Sequence, residues 1–252
     1  MRIVFLSGGA RSKALRYLIE KGENVIAVIT PLKTSQNNRF EEVIKTAEEF
    51  GLTVFTVKKN GLYDVLKTLD YEIMISCGFS YIIEKDSIAT AKIAINVHPT
   101  LLPAYRGYRS GPYIILNDEA ETGVTVHLLS VEMDKGDILA QESFSVTKFD
   151  TTKSLFRKCQ EIEPRLLHKV IQDIKDGRLE SRPQDESKAS TYNYIRTPKD
   201  SEIDPSKPLA ELFNEIRACS PEDYPAYFFV DGQKVCVKMW RNEKPDNEQD
   251  MI

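Results

Sequence analysis

The sequence predicts an α/β fold of the Rossmann-like type: a parallel or mixed sheet with helices on both faces, plus a small C-terminal α+β appendage. Short apolar runs alternate with amphipathic stretches through the first half of the chain. That alternation is typical of a parallel sheet buried on both faces. After Asn96 it gives way to a Pro- and Gly-rich loop and then to two alternating β segments. Ligands of such sheets bind at the carboxyl ends of the strands.

The elements of the first half follow from apolar periodicity. Residues 2–6 form a buried strand candidate, which is followed by a Ser-Gly-Gly turn and a helix with Ser12 as its N-cap. The other strand candidates are 25–29, 53–57, 73–76 and 93–96, and the helix candidates are 12–21, 40–50 and 62–69.

The second half contains a predicted β pair, 123–129 with 138–145, and a long helix, 152–176. The apolar stripe of that helix predicts core packing. A polar, turn-rich stretch then leads to a helix at 209–217 and to a hairpin with Asp-Gly at its turn. We therefore expect a main domain over residues 1–190 and a small α+β subdomain over residues 191–252 that does not fold alone.

The composition argues against several classes of protein. A net charge of −4 over 252 residues disfavours binding to nucleic acid or to an anionic membrane. Apolar runs stay short of the ~18 residues that a membrane span needs, and the N-terminal run is too short for a signal peptide. The four cysteines are far apart, which predicts neither a disulfide framework nor a metal site. We expect a reducing, cytoplasmic location.

Asn96 and His98 are the strongest candidates for chemistry. They follow the strand candidate 93–96, and their spacing puts both side chains on one side of the chain. Asp134, in the polar loop between the later β segments, would reach the same crevice. An amide, an imidazole and a carboxylate without a protein nucleophile suit attack by a nucleophile that the substrate supplies. A capped strand end and a solvated turn remain as structural alternatives.

Other motifs give weaker signals. The Gly78-Phe79-Ser80 stretch resembles part of a nucleophile elbow, but Ile82 stands where the closing glycine belongs. Residues 7–10 match neither a dinucleotide nor a P-loop fingerprint. His127, within a strand, and His168, on the long helix, are interpreted as structural residues.

Four ordered motifs closely resemble the N10-formyltetrahydrofolate-dependent formyltransferase family. They are INVHPTLLP (95–103), YRG (105–107), ETGVTVH (121–127) and MDKGDI (133–138). The resemblance covers residues 1–200 roughly and implies that Asn96, His98 and Asp134 are catalytic. It implies a folate pocket in two loops, whose predicted members are Phe79, Ser80, Tyr81, Ile82, Ile83, Leu129, Ser130, Glu132 and Met133.

The resemblance also implies the reaction. A substrate amine attacks the formyl carbon, Asn96 and protonated His98 stabilise the oxyanion, and Asp134 removes the excess proton from the amine. Formyltetrahydrofolate is then a co-substrate, and a non-enzymatic folate- or nucleotide-binding module is the remaining alternative.

The region after residue 182 is most similar to sugar N-formyltransferases, with the GDP-perosamine type as the nearest branch. These act on nucleotide-linked 4-amino sugars in bacterial surface-polysaccharide (O-antigen, lipopolysaccharide) synthesis. After Asp200, acids outnumber bases by about two to one, which disfavours tRNA. Methionyl-tRNA formyltransferase and formyltetrahydrofolate hydrolase remain alternatives.

The loop after His98 is predicted to bind the nucleotide sugar. Its candidate residues are Tyr105, Arg106, Gly107, Tyr108 and Arg109. Arg106 and Arg109 would contact the diphosphate, although arginines that stabilise the loop are an equal alternative. The apolar stretch 224–229 is a candidate homodimer surface, or it packs on the main domain.

Overall fold

The computed structural model describes residues 1–33, 39–108, 110–192, 194 and 196–244. Within these ranges, no helix is both long enough and apolar enough to cross a membrane. The strands are β1 (Arg2–Leu6), β2 (Asn24–Pro31), β3 (Thr53–Val57), β4 (Ile73–Cys77), β5 (Ile93–His98), β6 (Glu121–Leu128), β7 (Ile138–Ser145), β8 (Ala226–Val230) and β9 (Gln233–Val237). The helices are α1 (Ser12–Glu20), α2 (Glu41–Glu49), α3 (Leu62–Leu66), α4 (Lys85–Ile88), α5 (Gly111–Leu116), α6 (Thr152–Lys175) and α7 (Leu209–Arg217).

Strands β1 to β7 form one mixed sheet in the order β3-β2-β1-β4-β5-β6-β7. The first five strands of that order are parallel to one another. Strand β6 runs antiparallel to β5, and β7 runs antiparallel to β6. The central strand β4 is buried along its whole length, as expected for a strand covered on both faces. The predicted α/β fold is confirmed.

Helices cover both faces of this sheet. On one face, α1, α2 and α6 pack their apolar stripes against alternate residues of the strands. On the other face, α3 and α4 enclose a second apolar cluster with the opposite side chains of β1, β4 and β5. The second cluster includes Ala94, so it lies on the same face as Asn96 and His98.

The structure differs from the prediction in three local features. Helix α1 begins at Ser12 and Arg11 is its capping residue, without a side-chain cap, so Ser12 is not the N-cap. Strand β5 continues to His98, two residues beyond its predicted end. The short helix α4 was not predicted, because four residues are too few to show a helical period.

The C-terminal part forms a small unit against the main sheet domain. Helix α7 and the β8–β9 hairpin share an apolar cluster that includes Leu212, Ile216 and Ala226. The buried Arg217 guanidinium donates to the backbone carbonyls of Thr147 and Asp150, at 3.2 and 2.9 Å. These bonds fasten α7 to the segment that precedes α6.

Candidate active site

The end of β5 presents the first two catalytic candidates. Asn96 and His98 project from the same face of the strand, and Asn96 lies opposite His127 in the register with β6. His127 is 1% exposed, and its Nε2 lies 3.1 Å from Asn96 Nδ2. An amide and two imidazoles therefore meet at the carboxyl end of the parallel strands.

The loop between β6 and β7 brings Asp134 to these groups. Asp134 Oδ2 accepts a hydrogen bond from the Gly107 backbone N–H at 2.9 Å and lies 3.5 Å from His98 Nδ1. Asp134 Oδ1 accepts from Asn96 Nδ2 at 3.4 Å and lies 3.6 Å from His127 Nε2. The structure thus brings the three predicted catalytic side chains together.

The site favours an ionised carboxylate. Burial by itself would raise the pKa of Asp134, but the His98 charge and the Gly107 N–H bring that pKa well below its ordinary value. Asp134 is therefore a charged acceptor at neutral pH.

Two opposing effects act on His98. Burial lowers the pKa of His98, while the Asp134 carboxylate and the Tyr105 carbonyl oppose that shift. The Tyr105 carbonyl oxygen lies 2.9 Å from His98 Nε2, and an acceptor there requires the proton on Nε2. The net effect holds the pKa of His98 below its ordinary value, and the protonated ring that the resemblance implies would depend on the Asp134 carboxylate, which faces Nδ1.

His127 is a site residue that the sequence analysis treated as structural. Its Nδ1 donates to the Leu128 carbonyl at 2.8 Å, which leaves the Nε2 lone pair to accept from Asn96 Nδ2. This contact turns the Asn96 amide nitrogen toward Asp134. The signal that would have found it is the cross-strand pairing of residues 96 and 127, which depends on the register of two strands rather than on local sequence.

The two predicted folate loops border the apolar cluster on this same face. Phe79 and Tyr81 pack edge to face in that cluster, with 5.6 Å between ring centroids, and Ile83 and Leu129 join them. Three apolar residues of the loops are exposed, namely Ile82 (69%), Val131 (62%) and Met133 (49%). Exposed apolar side chains beside a buried carboxylate fit a flat heteroaromatic ligand.

The polar members of these loops make bonds within the protein. The Ser80 hydroxyl donates to the Gly8 carbonyl at 3.4 Å, and the Ser130 hydroxyl donates to the Glu132 carbonyl at 2.6 Å. The Glu132 carboxylate pairs with Lys135. These bonds shape the loops.

Arg106 makes contacts within the protein. Its side chain is 2% exposed, and its guanidinium donates to Gln184 Oε1 and to both carboxylate oxygens of Glu186. The guanidinium therefore joins two segments of the protein. This arrangement fits the alternative of an arginine that stabilises the loop, and the diphosphate contact of Arg106 stays a prediction.

The other residues of the predicted sugar-binding loop differ in their exposure and contacts. The Tyr105 ring is buried and stacks on Tyr192, with 5.2 Å between centroids, and Gly107 contributes its backbone N–H to Asp134. Tyr108 is 47% exposed and keeps its predicted contact with substrate as a proposal. Arg109 lies outside the described residues.

The sequence of the chain matches a known protein family. The profile of the family described as formyl transferase matches residues 1–171. The chain belongs to the formyl transferase family. The family predicted from the four motifs is thereby confirmed, and the protein is an enzyme that transfers formyl groups.

Individual relatives of this formyl transferase include a methionyl-tRNA formyltransferase and two solved N-formyltransferases. The methionyl-tRNA formyltransferase of Bacillus cytotoxicus is 32% identical over 244 residues, which cover 94% of this chain and 76% of that protein. A 4-N formyltransferase from Francisella tularensis has the same fold at 23% identity, with a TM-score of 0.78 and coverage of 96% of this chain and 98% of that chain. An N-formyltransferase from Helicobacter canadensis, solved with folinic acid and dTDP-3-aminofucose, gives a TM-score of 0.73 at 24% identity, over 93% of this chain and 85% of that one.

Proposed function

We propose that this formyl transferase moves the formyl group of N10-formyltetrahydrofolate to the amine of a nucleotide-linked 4-amino-4,6-dideoxy sugar, in surface-polysaccharide synthesis. The observation that carries the proposal is the meeting of Asn96, His98 and Asp134 at the carboxyl end of β5. The folinic acid and nucleotide sugar held by the solved relative from H. canadensis support it.

The family resemblance suggests a role for each side chain. Bound between residues 79–83 and 129–133, the co-substrate would supply a carbonyl carbon for the acceptor amine to attack. Asn96 Nδ2 and protonated His98 would stabilise the negative charge that develops on the carbonyl oxygen. Asp134, which is ionised, would accept the proton that the amine loses, and N10 would take up a proton as its bond to the formyl carbon breaks, which releases tetrahydrofolate.

The C-terminal region favours a sugar over tRNA. Acids outnumber bases by about two to one after Asp200, which weakens the phosphate contacts on which tRNA affinity depends. The 4-N formyltransferase fold also matches almost the whole of both chains. The 32% identity to methionyl-tRNA formyltransferase makes tRNA the second candidate acceptor.

We expect formyl transfer only to an amino sugar. The purified protein would be incubated with N10-formyltetrahydrofolate and one of three additions: a panel of GDP-, dTDP- and UDP-4-amino-4,6-dideoxy sugars, methionyl initiator tRNA, or buffer. Release of tetrahydrofolate is measured. Release with tRNA alone would overturn the sugar proposal, and release in buffer would identify a hydrolase.

The proposed domain division places the catalytic domain at residues 1–190 and the C-terminal subdomain at 191–252. The family match to residues 1–171 supports it, as does the separate apolar cluster of α7 and the hairpin.

The four free cysteines, three of them buried, support a reducing location such as the cytoplasm.

We expect the protein to be a homodimer. Residues Ala226 and Tyr227 of the predicted dimer stretch are buried, whereas Phe229, Val230, Val235 and Trp240 leave an apolar surface on and beside the hairpin. Light scattering coupled to size-exclusion chromatography should give twice the chain mass. A Phe229→Lys variant should give the mass of one chain, and a wild-type monomer would contradict the proposal.

A further inference from the structure

The segment 182–192, which we call the strap, crosses both loops that contribute to the site. At its start, Arg182 and Ile138 exchange two backbone hydrogen bonds, of 3.0 and 2.8 Å. At its end, the Arg106 N–H donates to the Ser190 carbonyl at 2.9 Å, and the Tyr192 N–H donates to the Arg106 carbonyl at 3.0 Å. The strap therefore joins the loop before β7 to the loop after His98.

Gln184 lies at the centre of the strap and bonds to both loops at once. Its Nε2 donates to the backbone carbonyls of Asp134 and Gly136, each at 2.7 Å. Its Oε1 accepts from Arg106 Nε and Nη2, at 3.0 and 2.7 Å. A primary amide is the side chain that can donate twice to one loop and accept from the other.

The Asp134 loop needs such support because its backbone is strained. Asp134 has a φ of 55°, in the left-handed region that is unfavourable for a residue with a side chain. Its carboxylate is held by partners on other segments, such as Gly107 and Asn96. A shift of the loop would therefore move the carboxylate away from His98.

The far end of the strap acts on His98 through Tyr105. Tyr105 also has a positive φ, of 61°, and its N–H donates to the Ser190 hydroxyl oxygen at 2.9 Å. Its ring stacks on Tyr192 with an angle of 4° between the planes. The carbonyl of this fixed residue is the acceptor for His98 Nε2.

We propose that Gln184 is a positioning residue for formyl transfer, which holds the Asp134 loop against His98 and against the loop that carries Arg106 and Gly107. The inference rests on the proposed role of Asp134. Gln184 acts through the Asp134 backbone and does not touch the reacting atoms.

The test compares Gln184→Met with wild type, using N10-formyltetrahydrofolate and a dTDP-4-amino-4,6-dideoxy sugar. Methionine keeps the length of the side chain and removes its donors and its acceptor. We expect kcat to fall by roughly 10- to 100-fold, the scale of a small displacement of a catalytic group, with little change in the KM for the sugar. Asp185 is the neighbouring strap residue, and its carboxylate accepts from Ser187 and pairs with Lys188. The control variant Asp185→Asn should retain wild-type kcat.

A double variant separates positioning from stability. In an Asp134→Asn background, Gln184→Met should cause no further loss, because the group that it positions is gone. Wild-type kcat in Gln184→Met, or an additive loss in the double variant, would overturn the inference. Wild-type turnover in Asp134→Asn alone would instead overturn the proposed function.

If Gln184→Met does not fold, Gln184→Glu takes its place. The glutamate keeps an acceptor for Arg106 and removes both donors to the Asp134 loop. The same loss of kcat is expected from it, and wild-type kcat would again overturn the inference.

Discussion

Replacing Asp134 with Asn is expected to lower kcat by on the order of 10²- to 10⁴-fold, the usual contribution of a positioned acid or base. The amide keeps the shape of the carboxylate and can still accept from the Gly107 N–H, so the fold should survive. It cannot take the proton of the amine. Turnover is measured at saturating sugar and formyltetrahydrofolate, and folate binding, followed by fluorescence titration, should persist.

Asp137→Asn is the matched control in the same loop. The Asp137 side chain accepts from the Ser181 hydroxyl at 3.3 Å, so its loss should leave kcat near the wild-type value. Turnover in Asp134→Asn equal to that of Asp137→Asn would show that the carboxylate at 134 is not the proton acceptor.

The same substitution has a spectroscopic consequence at His98. Burial lowers the pKa of His98, and the Asp134 charge opposes that effect. Asp134→Asn removes the opposing charge, so the pKa of His98 should fall further below the usual histidine value. A titration of the imidazole C2 proton by NMR measures this change, with the remote His168 as internal reference. An unchanged or raised pKa would contradict the ionised state of Asp134.

The fold was open to prediction because its signals are local. Apolar runs and helical periods marked β1 to β7, and the spacing of two residues placed Asn96 and His98 on one side of β5. The position of Asp134 in the polar loop between two β segments made it a candidate, and the family resemblance implied its catalytic role. Asn96, His98 and Asp134 each lie within a few residues of the strand or loop pattern in the sequence that identifies them.

What escaped prediction depends on contacts between distant segments. His127 joins the site through the register of β5 with β6, and Gln184 reaches the Asp134 loop from fifty positions away. Arg106 was predicted to contact a diphosphate because it closely follows His98 in the chain, with stabilisation of the loop as an equal alternative. The structure instead buries its guanidinium among partners that come from the strap, which no local pattern shows.

A buried ion pair beneath the predicted folate loop was also outside local prediction. Arg11 Nε lies 3.1 Å from Glu163 Oε2, and the two side chains are 7% and 1% exposed. The Arg11 guanidinium lies over the Phe156 ring, at 4.5 Å from its centroid, and beside Gly78, the residue before the loop 79–83. The pair therefore joins α1 and α6 to the turn from which that loop begins.

Arg11→Met is expected to destabilise the protein by about 3–5 kcal/mol at pH 8, because it leaves a buried carboxylate without its partner. The loss should be smaller at pH 5. Burial raises the pKa of Glu163, and Arg11 opposes that effect. Without Arg11, the Glu163 carboxyl therefore keeps its proton in the folded state at pH values where the unfolded chain has already lost it. The free energy of unfolding of the variant then declines as pH rises from the ordinary glutamate pKa toward the raised pKa of Glu163. Urea unfolding at both pH values measures the difference.

The variant Arg11→Met/Glu163→Met tests whether the loss comes from the unpaired charge. Two unbranched apolar side chains fill a similar volume without a charge, so most of the stability should return and its dependence on pH should become weaker. Double-variant stability as low as that of Arg11→Met would mean that the guanidinium contributes through packing on Phe156.

Because Arg11 also contacts the Gly78 turn, we expect Arg11→Met to weaken the binding of formyltetrahydrofolate, since the loop 79–83 loses its support.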